Sequence, residues 1–311
     1  MKIAGKTVCV TGAAGFLGAP LCRELIARGA RVIGLDNFSV GHAAKFEDIK
    51  DGLEVYTADV RDPDSLKEPI SRSQVVFHLA AIDNRKICEQ DPTLAFNVNI
   101  MGTSNVLSLC SGAERVVYLS STMVYGEPKY LPIDEKHPLD GYDPYAVSKI
   151  AAEHLFRAYH FIRGIPFTIV RNTNTFGPGQ GRSYLIPSLI IEGLTRGQID
   201  VWTPGVLRDF QYVDNCIDAL IRIAESAAAA GETVNLGSGL GITVGELTDI
   251  ICRQLGASWV DVKKPAPVSS RLVSDISRLR ALTGWEPKIS LEEGLRRTIA
   301  HYRALVETDT K

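Results

Sequence analysis

The stretch Thr11-Gly-Ala-Ala-Gly-Phe-Leu-Gly18 follows a short β-branched run and opens a helical pattern. Glycine permits a positive φ in a tight turn and lets the backbone come close to a pyrophosphate. The helix behind the turn offers free N–H groups and about half a positive charge at its N-terminus. The spacing is G-x-x-G-x-x-G rather than the usual G-x-G-x-x-G, so this loop by itself leaves tight packing open as the alternative to dinucleotide binding.

The next predicted strand favours dinucleotide binding over tight packing as the role of this loop. Arg31-Val-Ile-Gly-Leu-Asp36 ends in a carboxylate at about the distance from Gly12 that a dinucleotide-binding fold uses. An acid at this place hydrogen-bonds the ribose 2′-OH and repels a 2′-phosphate, which predicts NAD rather than NADP. The alternative is that Asp36 caps a helix or faces solvent. Asp59, after the third predicted strand, would lie near the adenine, and its alternative is a turn acid before Asp62-Pro63.

Predicted strands and helices alternate through most of the chain. Strands are predicted at Val8–Thr11, Arg31–Asp36, Leu53–Ala58, Val75–Leu79, Val116–Leu119, Phe167–Arg171 and Val234–Leu236. Helices are predicted near 16–28, 64–71, 92–110, 145–163, 184–196 and 214–230. Several strands are apolar throughout, as expected when helices cover both faces of a sheet. The predicted fold class is therefore α/β, a Rossmann-type doubly wound parallel sheet.

The last quarter of the chain has a different pattern. Thr243-Val-Gly-Glu246 and Ser290-Leu-Glu-Glu293 both match the capping box and predict helix starts. A loop is predicted between them at Lys263-Lys-Pro-Ala-Pro267. The expected division is an NAD-binding Rossmann domain and a smaller, mostly helical lobe that binds the substrate: residues 1–171 with about 213–236, and residues 172–212 with 237–311.

The composition excludes several classes of protein. The 311 residues carry a net charge of −2, which is too little positive charge for a nucleic-acid partner. The six cysteines are widely spread without a C-x-x-C pair, which argues against a metal site and against a disulfide framework. The N-terminal apolar run is too short for a signal peptide, and no run is long enough to span a membrane. A cytoplasmic protein without a membrane partner is expected.

Tyr145-Ala-Val-Ser-Lys149 is a Y-x-x-x-K motif, and the same spacing occurs at Tyr125-Gly-Glu-Pro-Lys129. The glycine and the proline inside the second pair rule out a regular helix there. Tyr145 instead follows a proline and begins a long helical pattern, so its side chain and that of Lys149 share one helix face. Only the first pair is therefore predicted to have a fixed geometry.

This pair can act as a base. A free phenol titrates near 10, and lowering its pKa by about 3 units needs about 4 kcal/mol, which one cation at about 4 Å supplies in a partly shielded site. Lys149 and an oxidised nicotinamide are both positive, so the pair predicts a Tyr145 phenolate near neutral pH. Ser121, at the end of a predicted strand, would hydrogen-bond the same substrate hydroxyl; alternatively it satisfies the backbone at the strand end.

These motifs together make the sequence resemble the extended short-chain dehydrogenase/reductases, the NAD-dependent nucleotide-sugar epimerases and dehydratases, over nearly the whole chain. Further matching motifs are His78-Leu-Ala-Ala81, Asn99 with Gly102-Thr103, Ser120-Ser121, Tyr125-Gly126, Arg171-Asn-Thr-Asn174, Gly177-Pro178, Arg208-Asp-Phe-Gln-Tyr-Val-Asp214 and Asn235-Leu-Gly-Ser238. The NAD site that the resemblance implies comprises Gly12, Gly15, Phe16, Leu17, Gly18, Asp36, Asn37, Ser39, Gly41, Asp59, Val60, Leu79, Ala80, Ala81, Asn99, Tyr145 and Lys149.

The resemblance also implies how the substrate is held. Asn174, Arg208 and Arg271 would bind the nucleotide diphosphate, with Thr122 beside the sugar. Arginine suits this role because its fork pairs bidentately with phosphate oxygens. The alternative for both arginines is a surface charge. Arg85 and Lys86 closely follow the His78 motif, and their positive charges would favour a substrate with an acidic sugar. The alternative is that both are solvated charges on a helix.

Two positions after the predicted catalytic serine narrow the reaction. Similar 4,6-dehydratases carry an Asp-Glu pair there and similar decarboxylases carry a glutamate, whereas this chain has Thr122 and Met123. Neither side chain is a carboxylic acid, so the resemblance favours 4-epimerisation by elimination: oxidation of C4 of the sugar and return of the hydride to the opposite face. The expected substrate is a UDP-sugar such as UDP-glucose, UDP-galactose, a UDP-N-acetylhexosamine or a UDP-uronate.

Three other interpretations stay open: a nucleotide-sugar 4,6-dehydratase, a net NAD-dependent oxidoreductase and a non-catalytic NAD-binding scaffold. The presence of Ser121, Tyr145 and Lys149 together argues against the scaffold. The resemblance further implies a homodimer that pairs the helices near 92–110 and 145–163. An apolar stripe on the first of these helices fits the dimer, although it could equally face the sheet: Leu94, Val98 and Met101.

Overall fold

The computed structural model describes residues 1–263 and 271–309. Its strands are β1 (Thr7–Thr11), β2 (Arg31–Asp36), β3 (Leu53–Thr57), β4 (Val75–His78), β5 (Arg115–Ser121), β6 (Phe167–Asn172), β7 (Asn174–Phe176), β8 (Gln198–Val201), β9 (Leu207–Tyr212), β10 (Glu232–Leu236), β11 (Gly241–Thr243), β12 (Ser258–Asp261) and β13 (Arg271–Leu272). Of the loop predicted at 263–267, all but Lys263 lies outside the described residues.

The helices alternate with the strands of the first part of the chain. They are α1 (Gly18–Ala27), α2 (Pro63–Ser71), α3 (Arg85–Gln90), α4 (Pro92–Phe96), α5 (Gly102–Leu109), α6 (Pro144–Arg163), α7 (Leu185–Arg196), α8 (Val213–Glu225), α9 (Val244–Leu255), α10 (Ser277–Thr283) and α11 (Leu291–Asp309). The single helix predicted near 92–110 is wrong in one respect, because a π turn at Asn97–Met101 separates α4 from α5. In the described part of the chain, no helix combines the length and apolar character that crossing a bilayer requires.

Seven parallel strands of the described residues form the central sheet, in the order β10-β6-β5-β4-β1-β2-β3. The chain winds outward in one direction from β1 to β3 and in the other from β4 to β6. In such an open sheet, ligands bind in the crevice outside the carboxyl ends of the strands, where the strand order reverses. The predicted doubly wound α/β fold is confirmed, and the crevice lies at β1 and β4.

The apolar strands divide their side chains between two hydrophobic cores, one on each face of the sheet. In β1, Val8 and Val10 pack into the core that contains residues of α1 and α8, whereas Cys9 packs into the core that contains residues of α2, α5 and α6. Successive side chains of a strand point to opposite faces. A strand covered on both faces is therefore apolar at every position, as the sequence predicted.

The sequence around α6 specifies where this helix starts and ends. Asp143 is the N-cap, and its Oδ1 accepts a hydrogen bond from the Ala146 N–H at 2.9 Å. Pro144 occupies the first helical position, where a backbone N–H is not needed. Gly164 ends the helix with a φ of 67°, the left-handed conformation that glycine adopts most easily. The position of Tyr145 in the first turn of the helix follows from these caps.

Short strands lie within residues 172–212 and 237–263 and at 271–272, which the sequence assigned to a mostly helical second lobe. β9 pairs with β7, β11 and β13, and β12 pairs with β8. Strands of two to six residues leave little periodicity in a sequence, so they were not predicted. The capping box at Thr243–Glu246 is confirmed, since both of its hydrogen bonds are present. At the second predicted box, the Glu293 N–H donates to Ser290 Oγ at 3.3 Å.

Candidate active site

The glycine loop after β1 lies against the loop after β4. Gly12 has a φ of 70°, and a Cβ added to it would lie 2.9 Å from the backbone nitrogen of Ala80. A Cβ added to Gly18 would overlap the carbonyl oxygen of Gly12. No side chain caps the first turn of α1, where Pro20 has no N–H and the N–H of Ala19 donates to the Gly15 carbonyl at 3.5 Å. This narrow backbone cradle at a helix N-terminus fits the pyrophosphate of a dinucleotide.

Asp36 lies at the carboxyl end of β2, beside the glycine loop. Its Oδ2 accepts a hydrogen bond from the Ala14 N–H at 2.8 Å, and its Oδ1 accepts one from the Phe38 N–H at 2.8 Å. Phe38 has a φ of 55°, an uncommon conformation for a bulky residue. The carboxylate is thus held in a turn and caps no helix, and each oxygen keeps a lone pair for a ribose hydroxyl.

Asp59 is engaged by neighbours of its own. Its carboxylate forms an ion pair with Arg61 at 2.7 Å and accepts a hydrogen bond from Asn37 Nδ2 at 2.9 Å. The bond with Arg61 is the first cause that holds the pKa of Asp59 well below its usual range. Asp59 also accepts from the Arg61 backbone N–H at 2.8 Å, so locally it is the turn acid named above as the alternative. Its link to Asn37 joins the loops after β2 and β3.

A buried chain of hydrogen bonds supports the loop after β4. The Thr11 hydroxyl accepts from the backbone N–H groups of Leu79 and Ala80, both at 3.2 Å, and lies 2.8 Å from His78 Nδ1. His78 Nε2 lies 2.9 Å from the Thr103 hydroxyl, which donates to a carbonyl oxygen of the π turn. The directions of these bonds require the Nε2–H tautomer of His78. Burial lowers the pKa of His78 to about 3, so the ring is neutral at working pH.

Asn99, in the π turn, holds the same loop from the other side. Its Oδ1 accepts from the Ile82 N–H at 2.8 Å, and its Nδ2 donates to the Ile82 carbonyl at 3.0 Å and to Ser148 Oγ at 2.9 Å. The side chain is only 1% exposed. Asn99 therefore ties the loop after β4 to α6. The contact with NAD that the resemblance implied for it stays a prediction.

The three predicted catalytic residues come together at the crevice. Tyr145 and Lys149 are buried on α6, one turn apart, and Lys149 Nζ lies 5.8 Å from the centre of the Tyr145 ring. Nζ donates to the Leu119 carbonyl of β5 at 2.9 Å. Ser121, at the end of β5, hydrogen-bonds the Tyr145 side chain and also accepts from the Met123 N–H at 3.2 Å. The serine thus has the backbone role named as the alternative, and its contact with a substrate hydroxyl stays a prediction.

The second tyrosine–lysine spacing behaves differently. Tyr125 is fully buried and donates to Asn235 Oδ1 at 2.6 Å, and its hydroxyl accepts from Arg171 at 3.0 Å. Gly126 follows with a φ of 66°, which ends the single helical turn there. The prediction that this pair shares no regular helix is confirmed. Tyr125 belongs to a buried polar network around Arg171, which also pairs with Glu153 of α6 at 2.7 Å.

Burial dominates the electrostatics of the catalytic pair. It lowers the pKa of Lys149 to about 8, and the negative charge of Asp83 is the first group that opposes this. Burial also raises the pKa of Tyr145 well above its ordinary value, with Asp83 adding to the rise and the bond from Ser121 opposing it. The protein's own groups therefore disfavour a phenolate. The lowered pKa of Tyr145 predicted from the sequence is therefore not found in the protein alone, and its lowering by the positive charge of NAD stays a prediction.

Asp83 and Tyr184 are site residues that sequence reasoning missed. The Tyr184 hydroxyl donates to Asp83 Oδ1 at 3.0 Å, and this bond joins the loop after β4 to the segment before α7. Burial is the largest cause that raises the pKa of Tyr184, and Asp83 and then Tyr145 raise it further. The only signal in the sequence was an acid two residues after Ala81. Nothing in the sequence pointed to Tyr184, which lies far along the chain.

Arg85 is already paired. Its guanidinium forms an ion pair with Asp143 at 2.9 Å, and the same carboxylate caps α6. Arg208 is half-buried, and burial, followed by the positive charge of Arg85, lowers its pKa to about 10. The two arginines thus lie near each other at the crevice. The hypothesis that Arg85 attracts an acidic sugar is weakened, because Asp143 offsets its charge.

The residues predicted to hold the diphosphate lie in neighbouring strands of one small sheet. Asn174 of β7 pairs with Phe210 of β9, and Arg271 of β13 pairs with Leu207 of β9, next to Arg208. Asn174 is exposed, and its Nδ2 donates to the Asp209 carbonyl at 3.2 Å. Arg271 is exposed as well. Thr122, beside Ser121, is 4% exposed.

Asp209 anchors this small sheet. Its buried carboxylate accepts hydrogen bonds from Ser238 Oγ at 2.6 Å and from the N–H groups of Ser238 at 2.8 Å and Gly239 at 3.1 Å. The Thr173 hydroxyl donates to its carbonyl at 2.9 Å. Asp209 therefore fixes β9 against the loop after β10, and with it the position of Arg208.

The fold and this crevice are those of an NAD-binding enzyme, and the comparisons agree on the family and the cofactor. The chain belongs to the NAD dependent epimerase/dehydratase family, whose sequence model matches residues 8–237. A putative UDP-glucose 4-epimerase from Methanocaldococcus jannaschii is 33% identical over 305 residues, covering 94% of this chain and 97% of that protein.

Two solved structures place the same fold beside different sugars. The UDP-glucose 4-epimerase of Thermotoga maritima with UDP-glucose has a TM-score of 0.89 at 27% identity, covering 96% of this chain and 99% of that one. The UDP-glucuronic acid 4-epimerase of Bacillus cereus, in complex with UDP-glucuronic acid and NAD, has a TM-score of 0.87 at 27% identity, with the same coverage. The predicted family, fold class and cofactor NAD are confirmed.

Proposed function

We propose that this enzyme is a nucleotide-sugar 4-epimerase that acts on a UDP-sugar and keeps NAD bound. The observation that carries the proposal is the convergence of Ser121, Tyr145 and Lys149 at the crevice beside the glycine loop. Thr122 and Met123 follow the serine, where similar dehydratases and decarboxylases carry carboxylates. A site that can oxidise a hydroxyl but lacks those acids supports epimerisation over elimination of water.

Tyr145 removes the proton of the C4 hydroxyl, and Ser121 hydrogen-bonds the same oxygen. Lys149 lies beside the ring of Tyr145, and its ammonium stabilises the phenolate. NAD, when bound, supplies the acceptor and the donor of the hydride at C4. After the keto sugar has turned over in the cleft, Tyr145 returns its proton to the oxygen of C4. Substrate and product have the same oxidation state, so no net oxidant is consumed.

The remaining site residues bind and orient NAD and the substrate. We assign the residues of the glycine loop, Asp36 and the loop after β4 to NAD. Arg208, with Asn174 and Arg271 on neighbouring strands, is assigned to the diphosphate, since its half-buried guanidinium matches phosphate in charge and geometry. The division into an NAD domain and a substrate lobe, as expected from the sequence, is part of this proposal.

A homodimer through α4, α5 and α6 also belongs to the proposal. Several apolar side chains are exposed on and between these helices, which favours a helix-on-helix contact. Phe161 is 90% exposed, Ile162 is 72% exposed and Met101 is 55% exposed. Val98 packs partly against a core, so the stripe predicted on the first helix is divided between the sheet and solvent.

A substrate panel tests the function. Purified protein is incubated with UDP-, GDP-, CDP- and dTDP-sugars, and C4 inversion is followed by proton NMR without added NAD. Inversion of a UDP-sugar is the expected result. A 4-keto-6-deoxy product would identify a dehydratase, and accumulation of NADH with added NAD would identify a net oxidoreductase. Absence of turnover with every sugar would favour the scaffold.

A further inference from the structure

The hydrogen bond between Asp83 and Tyr184 crosses the cleft next to the catalytic tyrosine. Asp83 lies between β4 and α3, and Tyr184 precedes α7 of the other lobe. The Tyr184 hydroxyl donates to Oδ1 at 3.0 Å, which uses one of about four acceptor positions of the carboxylate. The charge of Asp83 raises the pKa of both Tyr145 and Lys149, so its field reaches the groups that act on the sugar.

The positive charge of Arg85, which is close to Asp83 in the sequence, does not neutralise the carboxylate of Asp83. Arg85 follows Asp83 by two residues, but its guanidinium is bound to Asp143 at 2.9 Å. Asp143 is 7% exposed and also caps α6, so this ion pair is part of the helix start. Arg85 therefore has a carboxylate of its own in Asp143 and is not the partner of Asp83.

A carboxylate beside the sugar distinguishes substrates by charge. Hydroxyl groups of a neutral sugar can donate hydrogen bonds to the acceptor positions of Asp83 that Tyr184 leaves open. A uronate would bring a second carboxylate to the same part of the cleft, where the exposed carboxylate of Asp83 would repel it. Specificity then arises from repulsion of the wrong substrate as well as from contacts with the right one.

We propose that Asp83, held across the cleft by Tyr184, selects the sugar, so that the site accepts a nucleotide-sugar whose sugar carries no negative charge and rejects a uronate. This inference rests on the proposed function, because it presumes that a UDP-sugar occupies the cleft. It names the substrate class within that function and reverses the preference that Arg85 suggested from the sequence.

Calorimetric binding of UDP-glucose and UDP-glucuronic acid tests the inference without relying on turnover. Wild type, Asp83→Asn and the control Glu89→Gln, which removes one charge from the exposed side of α3, are compared as NAD-loaded proteins. Wild type is expected to prefer UDP-glucose by about tenfold or more. Asp83→Asn should remove most of this preference by strengthening the binding of UDP-glucuronic acid, whereas Glu89→Gln should leave the preference unchanged. Tyr184→Phe should reduce the preference, since Asp83 keeps its charge but is no longer held across the cleft.

Several results would overturn the inference. They are a wild type that binds both sugars equally, an Asp83→Asn protein with the wild-type preference, and a wild type that binds neither sugar. C4 inversion of UDP-glucose is measured by NMR in the same samples. A protein that shows the expected binding pattern but never inverts C4 disproves the proposed function and leaves the selection by Asp83 supported, so the two failures are distinguishable.

Discussion

The cofactor edge of the large sheet and the small sheet of the second lobe contrast in how their residues come together. At the cofactor edge, each group lies at the carboxyl end of a strand with an apolar middle: Gly12 follows β1, Asp36 ends β2 and Ser121 ends β5. In the small sheet, β7, β9 and β13 bring Asn174, Arg208 and Arg271 together from segments far apart in the chain.

The difference shows which kind of site a single sequence can predict. Parallel strands end at the same edge of a sheet, so strand ends identified from local patterns are already known to be neighbours. The pairing of short strands depends on long-range contacts, for example those of the Asp209 carboxylate with Ser238 and Gly239. The cofactor edge should therefore tolerate changes in the second lobe, and the following experiments test this separation.

The largest effect is expected at the catalytic tyrosine. Tyr145→Phe should lower the rate of C4 inversion by about a thousandfold, because general base catalysis is lost, and the protein should retain its NAD. The matched control is Tyr125→Phe at the second spacing. It should destabilise the protein by about 1 kcal/mol through loss of the bond to Asn235 and spare the chemistry. Equal loss of rate in both variants, measured by NMR, would contradict the assignment.

The contrast between the two regions is tested next by Arg208→Gln. Binding of UDP should weaken by about tenfold or more, since a half-buried charge that pairs with phosphate is removed. NAD content should not change. Arg253→Gln, at an exposed position on α9, is the control. Calorimetry measures UDP binding and absorbance measures NAD; a simultaneous loss of NAD would show that the two regions are not separate.

The converse experiment changes the glycine loop. Gly12→Ala should lower NAD retention by about tenfold and destabilise the protein by about 1–3 kcal/mol, because the added Cβ meets the backbone of Ala80 and the φ is positive. Gly205→Ala is the control in the second lobe, where an added Cβ meets nothing within 4 Å. Thermal unfolding measures the stability of each variant, and the cofactor content of the purified protein measures its NAD retention.

The pH profile tests the electrostatics of the cofactor edge. Since burial lowers the pKa of Lys149 to about 8, the ammonium is present below this pH and is lost above it. We expect kcat/KM to fall by about tenfold per pH unit above about pH 8. For stability the sign is opposite: burying the ammonium costs free energy below pH 8, and this cost is relieved as the pH rises toward the ordinary lysine value. A rate that still rises at pH 9.5 would exclude this role of Lys149.

The smallest effect is expected at the buried hydrogen bonds that support the loop after β4. Thr103→Val leaves the buried Nε2–H of His78 without its acceptor and should lower the free energy of unfolding by about 1–3 kcal/mol. Thr195→Val, at an exposed position on α7, should change it by less than about 0.5 kcal/mol. Denaturant unfolding measures both. Equal stability of the two variants would show that the hydrogen-bond chain from Thr11 to Asn99 contributes little.

Particular elements show how far the sequence could be used. β2 has the bounds that were predicted, and α6 starts one residue earlier than predicted, because Asp143 and Pro144 specify its first turn. The helix near 92–110 was predicted without its π turn at Asn97–Met101. Periodicity is nearly the same on either side of a π turn, so nothing in the pattern could reveal it. The turn places Asn99 where it can bind the loop after β4.

The sequence by itself predicted the fold class, the cofactor and the proximity of Ser121, Tyr145 and Lys149, because these depend on local patterns and on the rule that parallel strands end together. The tertiary structure alone decided how the charged residues after β4 are paired. Asp83 and Arg85 are two residues apart, and the pattern cannot say which of them is neutralised. Asp143 and Tyr184 decide it from other elements, since pairing of charges depends on distance in space.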